Sequence, residues 1–231
     1  MCSDSVFRDR QRRPPATLAA TPRHGLARVM SRLGICSRSQ AEQRVRAGRV
    51  QVDGCVVRDP QRPTDPACEV IRMDGLPLSA LAPVYVMLNK PRGLVVSAAD
   101  ERGRDTVYAL LADAQLPWLG PVGRLDKASE GLLLLSNDSA WAARITAPDS
   151  HVARTYHVQV RGKPDTDDLE RMREGVVDLG EHLAATSVRC RRGGERQTWL
   201  EIVLDEGRNR HIRRLLGALG FPVTRLLRVA I

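Results

Sequence analysis

Gly123 to Asp138, GRLDKASEGLLLLSND, places one carboxylate in a polar loop bounded by two glycines and followed directly by four leucines. Gly123 and Gly131 permit backbone conformations that other residues resist, and a leucine run flanked by turn residues fits a strand buried on both faces. Asp126 is thereby expected at the mouth of a strand, on rigid scaffold, where a nucleophile or general base is held to the geometry its reaction needs. The plainer role for an aspartate in a glycine-rich loop is to accept turn N–H groups. No partner for the carboxylate is visible in its own neighbourhood, so the residues alone leave both roles open. Phosphate cradling is excluded, because Lys127 follows no glycine and the G-x-x-x-x-G-K-[ST] spacing fails.

The elements that hold this loop come from a chain of 231 residues with 42% apolar content, enough for one ordinary domain and a small second one. The net charge is +9, and residues 1–80 hold 14 Arg against 8 Asp and Glu, a balance of +6. Charge concentrated at one end suggests a polyanionic partner, nucleic acid first and an anionic membrane surface second. A composition of 33 Arg to 3 Lys also fits a GC-rich genome. Cys2, Cys36, Cys55, Cys68 and Cys190 are odd in number and form no C-x-x-C pair, so neither a zinc site nor a disulfide framework is indicated. No apolar run reaches membrane-span length and the start lacks a signal-peptide core, so a cytoplasmic protein with reduced thiols is expected.

Residues 1–25 carry Arg8, Arg10, Arg12, Arg13 and Arg23 among prolines and small polar residues, and read as a disordered basic arm. Leu26, Val29, Met30 and Leu33 then recur at helical spacing, closing near Gly34. Ser37 and Gln40 have capping-box spacing for a second helix that ends on Gly48. RVQVDGCVV alternates around Asp53-Gly54, a hairpin signal. Arg28, Arg32, Arg38, Arg44, Arg46 and Arg49 stud these elements, as a solvated face or as contacts to phosphates. With its SR-x-x-AE…GRV-x-VDG pattern, this stretch to about Gly75 resembles the S4 RNA-binding domain, a resemblance that implies arginines presented to structured RNA.

A linker over 76–84 leads to PVYVMLNKPRGLVVS, read as a strand, a Pro-Gly turn and a second apolar strand. Together with LNKP-x-G, RTYHVQV and EGRNRHIRRL, the opening stretch is similar to the RsuA-like family of bacterial ribosomal-RNA pseudouridine synthases, which joins an S4 domain to a catalytic domain in this order. The resemblance implies an essential aspartate at Asp126 with Arg124 two residues before it, an active-site tyrosine at Tyr156 and an arginine at Arg213. Isomerisation breaks the N1–C1′ bond of uridine, turns the uracil and rejoins it through C5, so a carboxylate must reach sugar and base while water is excluded. The nucleotide must leave its stack, at a cost of a few kcal/mol. Tyr156 would offer the flipped uracil a flat face; its rival role is core packing, since Tyr156, Val158 and Val160 share one strand face.

Arg213 lies about 100° from Ile212 on the helical wheel, at the edge of the stripe Ile212, Leu215, Leu216 and Leu219. From there its guanidinium is expected to hold Asp126 by a bidentate bond. Arg210 and Arg214 point away from the stripe and suit phosphates. Three departures stand out: His211 where the family usually has glutamine, Arg154 where lysine is common, and a chain that stops at RLLRVAI, where the family usually continues and an edge of the domain is expected to be short. The whole reads as an α+β enzyme, with residues 26–75 an S4-like helix-helix-hairpin domain and 85–231 a catalytic domain on a mainly antiparallel sheet. The resemblance implies that no cofactor is needed, because the reaction is redox-neutral and the protein supplies the nucleophile, and no metal site is expected. Its expected partner is ribosomal RNA or a pre-ribosomal particle, large-subunit RNA favoured, because SEGLLLLSND and WLEIVLDEGRNR look closer to that branch. The alternatives are a non-catalytic S4-type RNA-binding factor of the translation apparatus, which requires a dispensable Asp126, and an S4-linked methyltransferase, which lacks the glycine-rich loop it would need.

Overall fold

A computed structural model describes residues 23–98, 102–194 and 196–231. The basic arm therefore lies outside the described residues as far as residue 22, and its last two residues fall in a strand. His24–Gly25 forms β1, paired antiparallel with β4 (Pro63–Thr64). Two helices follow, α1 (Leu26–Arg32) and α2 (Arg38–Arg46). Ser37 Oγ accepts the Gln40 N–H and Gln40 Oε1 accepts the Ser37 N–H, both at 3.1 Å, the expected capping box. β2 (Val50–Val52) and β3 (Cys55–Val57) are joined through Asp53 and Gly54, whose φ values of 50° and 83° suit a hairpin turn that follows strand twist.

The small domain does not stop at Gly75. β5 (Ile71–Met73) pairs with β6 (Leu76–Pro77), completing a four-stranded sheet in the order β3-β2-β5-β6, and Leu78 packs against its core. The first residues of the expected linker thus belong to the sheet, because Asp74-Gly75 is a second tight turn with positive φ at both positions. The rest of the linker is held too. The Leu81 N–H donates to Leu33 O, and Asn137 grips the chain on both sides of Pro83, accepting from the Val84 N–H at 2.7 Å and donating to Ala82 O at 2.9 Å.

The larger domain adds β7 (Tyr85–Lys90), β8 (Gly120–Val122), β9 (Glu130–Ser136), α3 (Ser139–Thr146), β10 (Arg154–Arg161), α4 (Thr166–Glu174), β11 (Val176–Asp178), β12 (Glu181–Leu183), β13 (Ser187–Gly193), β14 (Gln197–Leu204), α5 (His211–Ala218) and β15 (Val223–Ala230). Seven strands form one sheet, in the order β13-β14-β10-β15-β9-β7 with β8 also on β9. Every pairing is antiparallel except β15 with β9. β15, at the end of the chain, is an interior strand between β10 and β9.

Two sequence expectations are corrected here. The second strand after the Pro-Gly turn does not form; Val95 makes one isolated bridge, to Thr106. The leucine run is not buried on both faces: Leu133 and Leu135 are fully buried, while Leu132 and Leu134 are half-buried. The reason is that α4 and α5 pack on one face of the sheet only, where Met172, Leu215 and Leu216 meet Val158, Val160, Leu200 and Ile202. A second cluster on the same face gathers Leu133, Leu135, Val107 and Leu119. Tyr156 touches both clusters and stands at their seam.

Candidate active site

The Asp126 loop hangs between the end of β8 and the start of β9. Gly123, at φ 81°, turns the chain into it, and the Ser129 N–H closes it on Asp126 O at 2.9 Å. A lysine fixes it from beneath. The Lys90 ammonium, at the end of β7 and 0% exposed, donates to Ser129 O at 2.8 Å, Pro91 O at 3.0 Å and Asp126 O at 3.3 Å. Burial pushes the Lys90 pKa down, against the pull of the Asp126 and Glu130 carboxylates. Glu130 is held by Arg225 through two bonds of 2.9 and 2.8 Å, which keep its carboxyl below the usual range.

The Asp126 carboxylate itself accepts no hydrogen bond and makes no ion pair within 4.0 Å among the described residues, although its charge acts on both Lys90 and Arg213. The turn-capping alternative is therefore not what the side chain does, since main-chain bonds and Lys90 already close the loop. What remains is a half-buried carboxylate, rigid at its backbone and open at its oxygens. It faces a cleft of about 690 Å³, a size suited to a small ligand or a single base.

Arg213 reaches the cleft from the first turn of α5, but not as expected. Its Nη2 donates to Ala128 O at 3.2 Å and its Nη1 to Val223 O at 3.3 Å, while Nε is buried without a partner. The bidentate bond to Asp126 is absent because two carbonyls engage the guanidinium fork. Arg213 instead ties the Asp126 loop to α5 and to the start of β15. Burial lowers its pKa first, Arg210 second, and the Asp126 charge opposes both.

The neighbouring arginines divide. Arg214 does not suit phosphates: Nε donates to Asp178 Oδ2 at 2.6 Å, Nη2 to Asp178 O at 2.7 Å, and Nη1 pairs with Glu181. It binds α5 to the β11–β12 hairpin. Arg210, at φ 51°, and Arg124 are exposed on the cleft wall. In the small domain, Arg28 and Arg32 are exposed on α1 with no ion pair among the described residues, and Arg38 and Arg46 flank Glu42 at 3.4 and 3.8 Å. Arg49 is committed to Asp74 by bonds of 2.9 and 2.6 Å, and Arg44 is half-buried against Met73.

Tyr156 packs on two cores, and it also lines the cleft. Directly across the ladder stands Arg228, 4% exposed, donating to Leu132 O at 2.8 Å with Nη2 unpartnered. Burial lowers its pKa and the adjacent Tyr156 phenol opposes that. Arg228 and Lys90 are site residues that the sequence reading missed. Their signal is a charge at an inward-phase position: Leu226 then Arg228 on β15, and Val86, Leu88 then Lys90 on β7. Six arginines, Arg124, Arg154, Arg208, Arg210, Arg213 and Arg228, line the cleft against Asp126, Asp205 and Glu206, a wall suited to a polyanion. His211 stands behind it, 3% exposed, its Nδ1 3.5 Å from Glu206 Oε1.

Comparison with known proteins gives two family matches, an RNA pseudouridylate synthase model over residues 84–218 and an S4 domain model over residues 25–67. An RNA pseudouridine synthase of Aquifex aeolicus is 36% identical over 88% of this chain and 82% of its own length. The ribosomal large subunit pseudouridine synthase B of Bacillus subtilis is 32% identical over 88% of this chain and 83% of its own. A crystal structure of a pseudouridylate synthase superposes with a TM-score of 0.60 at 28% identity, covering 89% of this chain and 87% of that one.

Proposed function

The chain belongs to the RNA pseudouridylate synthase family and isomerises uridine to pseudouridine in RNA; from that premise we propose that its substrate is ribosomal RNA, that of the large subunit first, and that Asp126 is its essential group. The likeness to the large-subunit enzyme of Bacillus subtilis supports the choice of RNA. One observation supports the choice of residue: an unbonded carboxylate on a loop pinned by Lys90 and Arg213, facing a cleft walled by arginines.

In this reading residues 26–75, with the strand that follows, hold phosphates, and residues 85–231 do the chemistry. Arg28, Arg32, Arg38 and Arg46 face the RNA backbone. The target nucleotide leaves its stack and enters the cleft, where its base lies on Tyr156, a contact of roughly 1–3 kcal/mol. Asp126 acts at the N1–C1′ bond. The uracil turns, C5 bonds to C1′, the C5 proton leaves to solvent and N1 takes up a proton, so atoms and charge balance without a redox partner. Arg124 and Arg210 meet the flanking phosphates. No described helix is long and apolar enough to cross a membrane, and the cytoplasm, where ribosomal RNA is made and assembled, is the proposed location.

The test is Asp126→Asn, which keeps shape and removes the carboxylate. Tritium release from C5-labelled uridine in a ribosomal RNA transcript should fall below about one per cent of wild type with affinity changed by no more than a few-fold. Retained release would remove Asp126 as the essential group, and a collapse of binding would make Asp126 structural. Mapping pseudouridines in both ribosomal RNAs from cells with and without the protein identifies the subunit.

A further inference from the structure

The sheet has a second face, turned away from the cleft, and the far end of it is basic and aromatic. Arg189 and Arg192 on β13, Arg196 in the turn after it and Arg161 at the end of β10 are all exposed, and none has an ion pair among the described residues. Arg192 and Arg196 lie beside Trp199, and Arg189 stands opposite Glu201, two residues further along β14. The ladder sets Arg192 and Gln159 directly opposite Trp199 on its two sides, and Arg161 opposite Gln197. Trp199 is half-buried, belongs to no core cluster and lines a shallow hollow with Arg192, Arg196 and Gln159. Of the acids in this stretch, Glu201 already faces Arg191 and His157, each at 3.5 Å, and Glu195 is the other, so positive charge dominates.

We propose that this face, Arg161, Arg189, Arg192 and Arg196 with Trp199, is a second RNA-contact surface, independent of both the cleft and the S4 domain. It rests on the reading of the chain as acting on RNA and adds where that RNA is held. The arginines clamp phosphates, for which a guanidinium fork is shaped, and the indole stacks on an unpaired base. Core packing does not account for Trp199, since the packed cores lie on the opposite face. The position also fits: five residues of β14 separate Trp199 from Leu204 at the cleft, about 17 Å at strand rise, and β13 is the edge strand. An RNA whose flipped uridine enters the cleft can pass over that edge and lay its flanking strand on the second face.

The test uses the full chain and an in vitro transcript of large-subunit ribosomal RNA. In the triple variant Arg189→Ala, Arg192→Ala, Arg196→Ala, affinity at about 0.15 M salt should fall at least tenfold. The slope of log K against log salt should fall by about 2, since each lost phosphate contact removes roughly 0.7–0.9. Turnover at saturating transcript should stay within twofold, so KM rises and kcat does not. Trp199→Leu should weaken binding several-fold and Trp199→Phe should restore it. Should the triple variant melt early, the three single alanine variants, each at an exposed position, carry the same measurement. Wild-type affinity and salt slope in the arginine variants overturn the proposal and leave the face to a protein partner, while equal loss in Trp199→Leu and Trp199→Phe overturns the stacking contact. Turnover by the wild type on the same transcript tests the underlying reading separately.

Discussion

Gly131 passes Arg228 so closely that a Cβ on it would stand 2.2 Å from the Arg228 carbonyl oxygen, with φ at 97°. This is where β9 and β15 run parallel, joining the half of the sheet that carries the Asp126 loop to the half that carries Tyr156. The two halves of the cleft are positioned through a place that only glycine fits.

Gly131→Ala should therefore cost at least about 2 kcal/mol, from the disfavoured φ and the forced separation of the strands. For a domain of this size the melting midpoint should drop by roughly 4–8 °C. Turnover measured well below that midpoint should fall as well, because the strands must part at the cleft. An unchanged melt would mean that β9 and β15 can separate freely.

Lys90→Met should lower turnover at least about tenfold with RNA affinity preserved, since the carbonyls of Asp126 and Ser129 lose their buried donor and the loop loses its fixed geometry. Single-turnover kinetics on saturating transcript, beside a binding titration, separates the two effects. A fall in affinity equal to the fall in rate would place Lys90 in RNA binding.

Arg213 and Arg214 are adjacent and should fail differently. Arg213→Ala removes the donor to Ala128 O and a cation that acts on Asp126, so turnover should fall roughly a hundredfold, with Arg213→Lys little better because an ammonium lacks the fork. Arg214→Ala should lower the melting midpoint by a few degrees and leave turnover within twofold, since its partners are Asp178 and Glu181. Equal turnover in the two variants removes Arg213 from the site.

His211 makes stability depend on pH. Burial lowers its folded pKa below the ordinary 6.5, with Arg208 and Arg214 acting in the same direction and Glu206 opposing. The unfolded chain then binds more protons in that range, so this contribution is complete above about pH 6.5 and is lost as pH falls below it. Melting midpoints of wild type should decline between pH 7 and pH 5.5 more steeply than those of His211→Gln. Parallel curves would show that His211 titrates alike in both states.

Elements fixed by nearest neighbours along the chain were legible without the structure. Ser37 and Gln40 cap a helix because they are three residues apart, Asp53-Gly54 turns because of its own two residues, and Ile212, Leu215 and Leu216 face inward because a helix repeats every 3.6 residues. Asp126 was legible as a candidate for the same reason, from the glycines and leucines around it. Its surroundings were not. Lys90 lies 36 residues from Asp126, Arg213 lies 85 from Ala128, and Arg228 lies 96 from Leu132, and no periodicity extends over such separations. Wheel geometry put Arg213 at the edge of its stripe, but whether it met a carboxylate or two carbonyls depended on how β9, β15 and α5 pack together. The same holds for Arg214, whose partners sit on a hairpin the wheel does not see, and for Leu132 and Leu134, half-buried because α4 and α5 pack on only one face of the sheet. Side-chain types and local spacing are written in the chain, while which distant charges share a cleft is decided by the close approach of strands that the chain order keeps far apart.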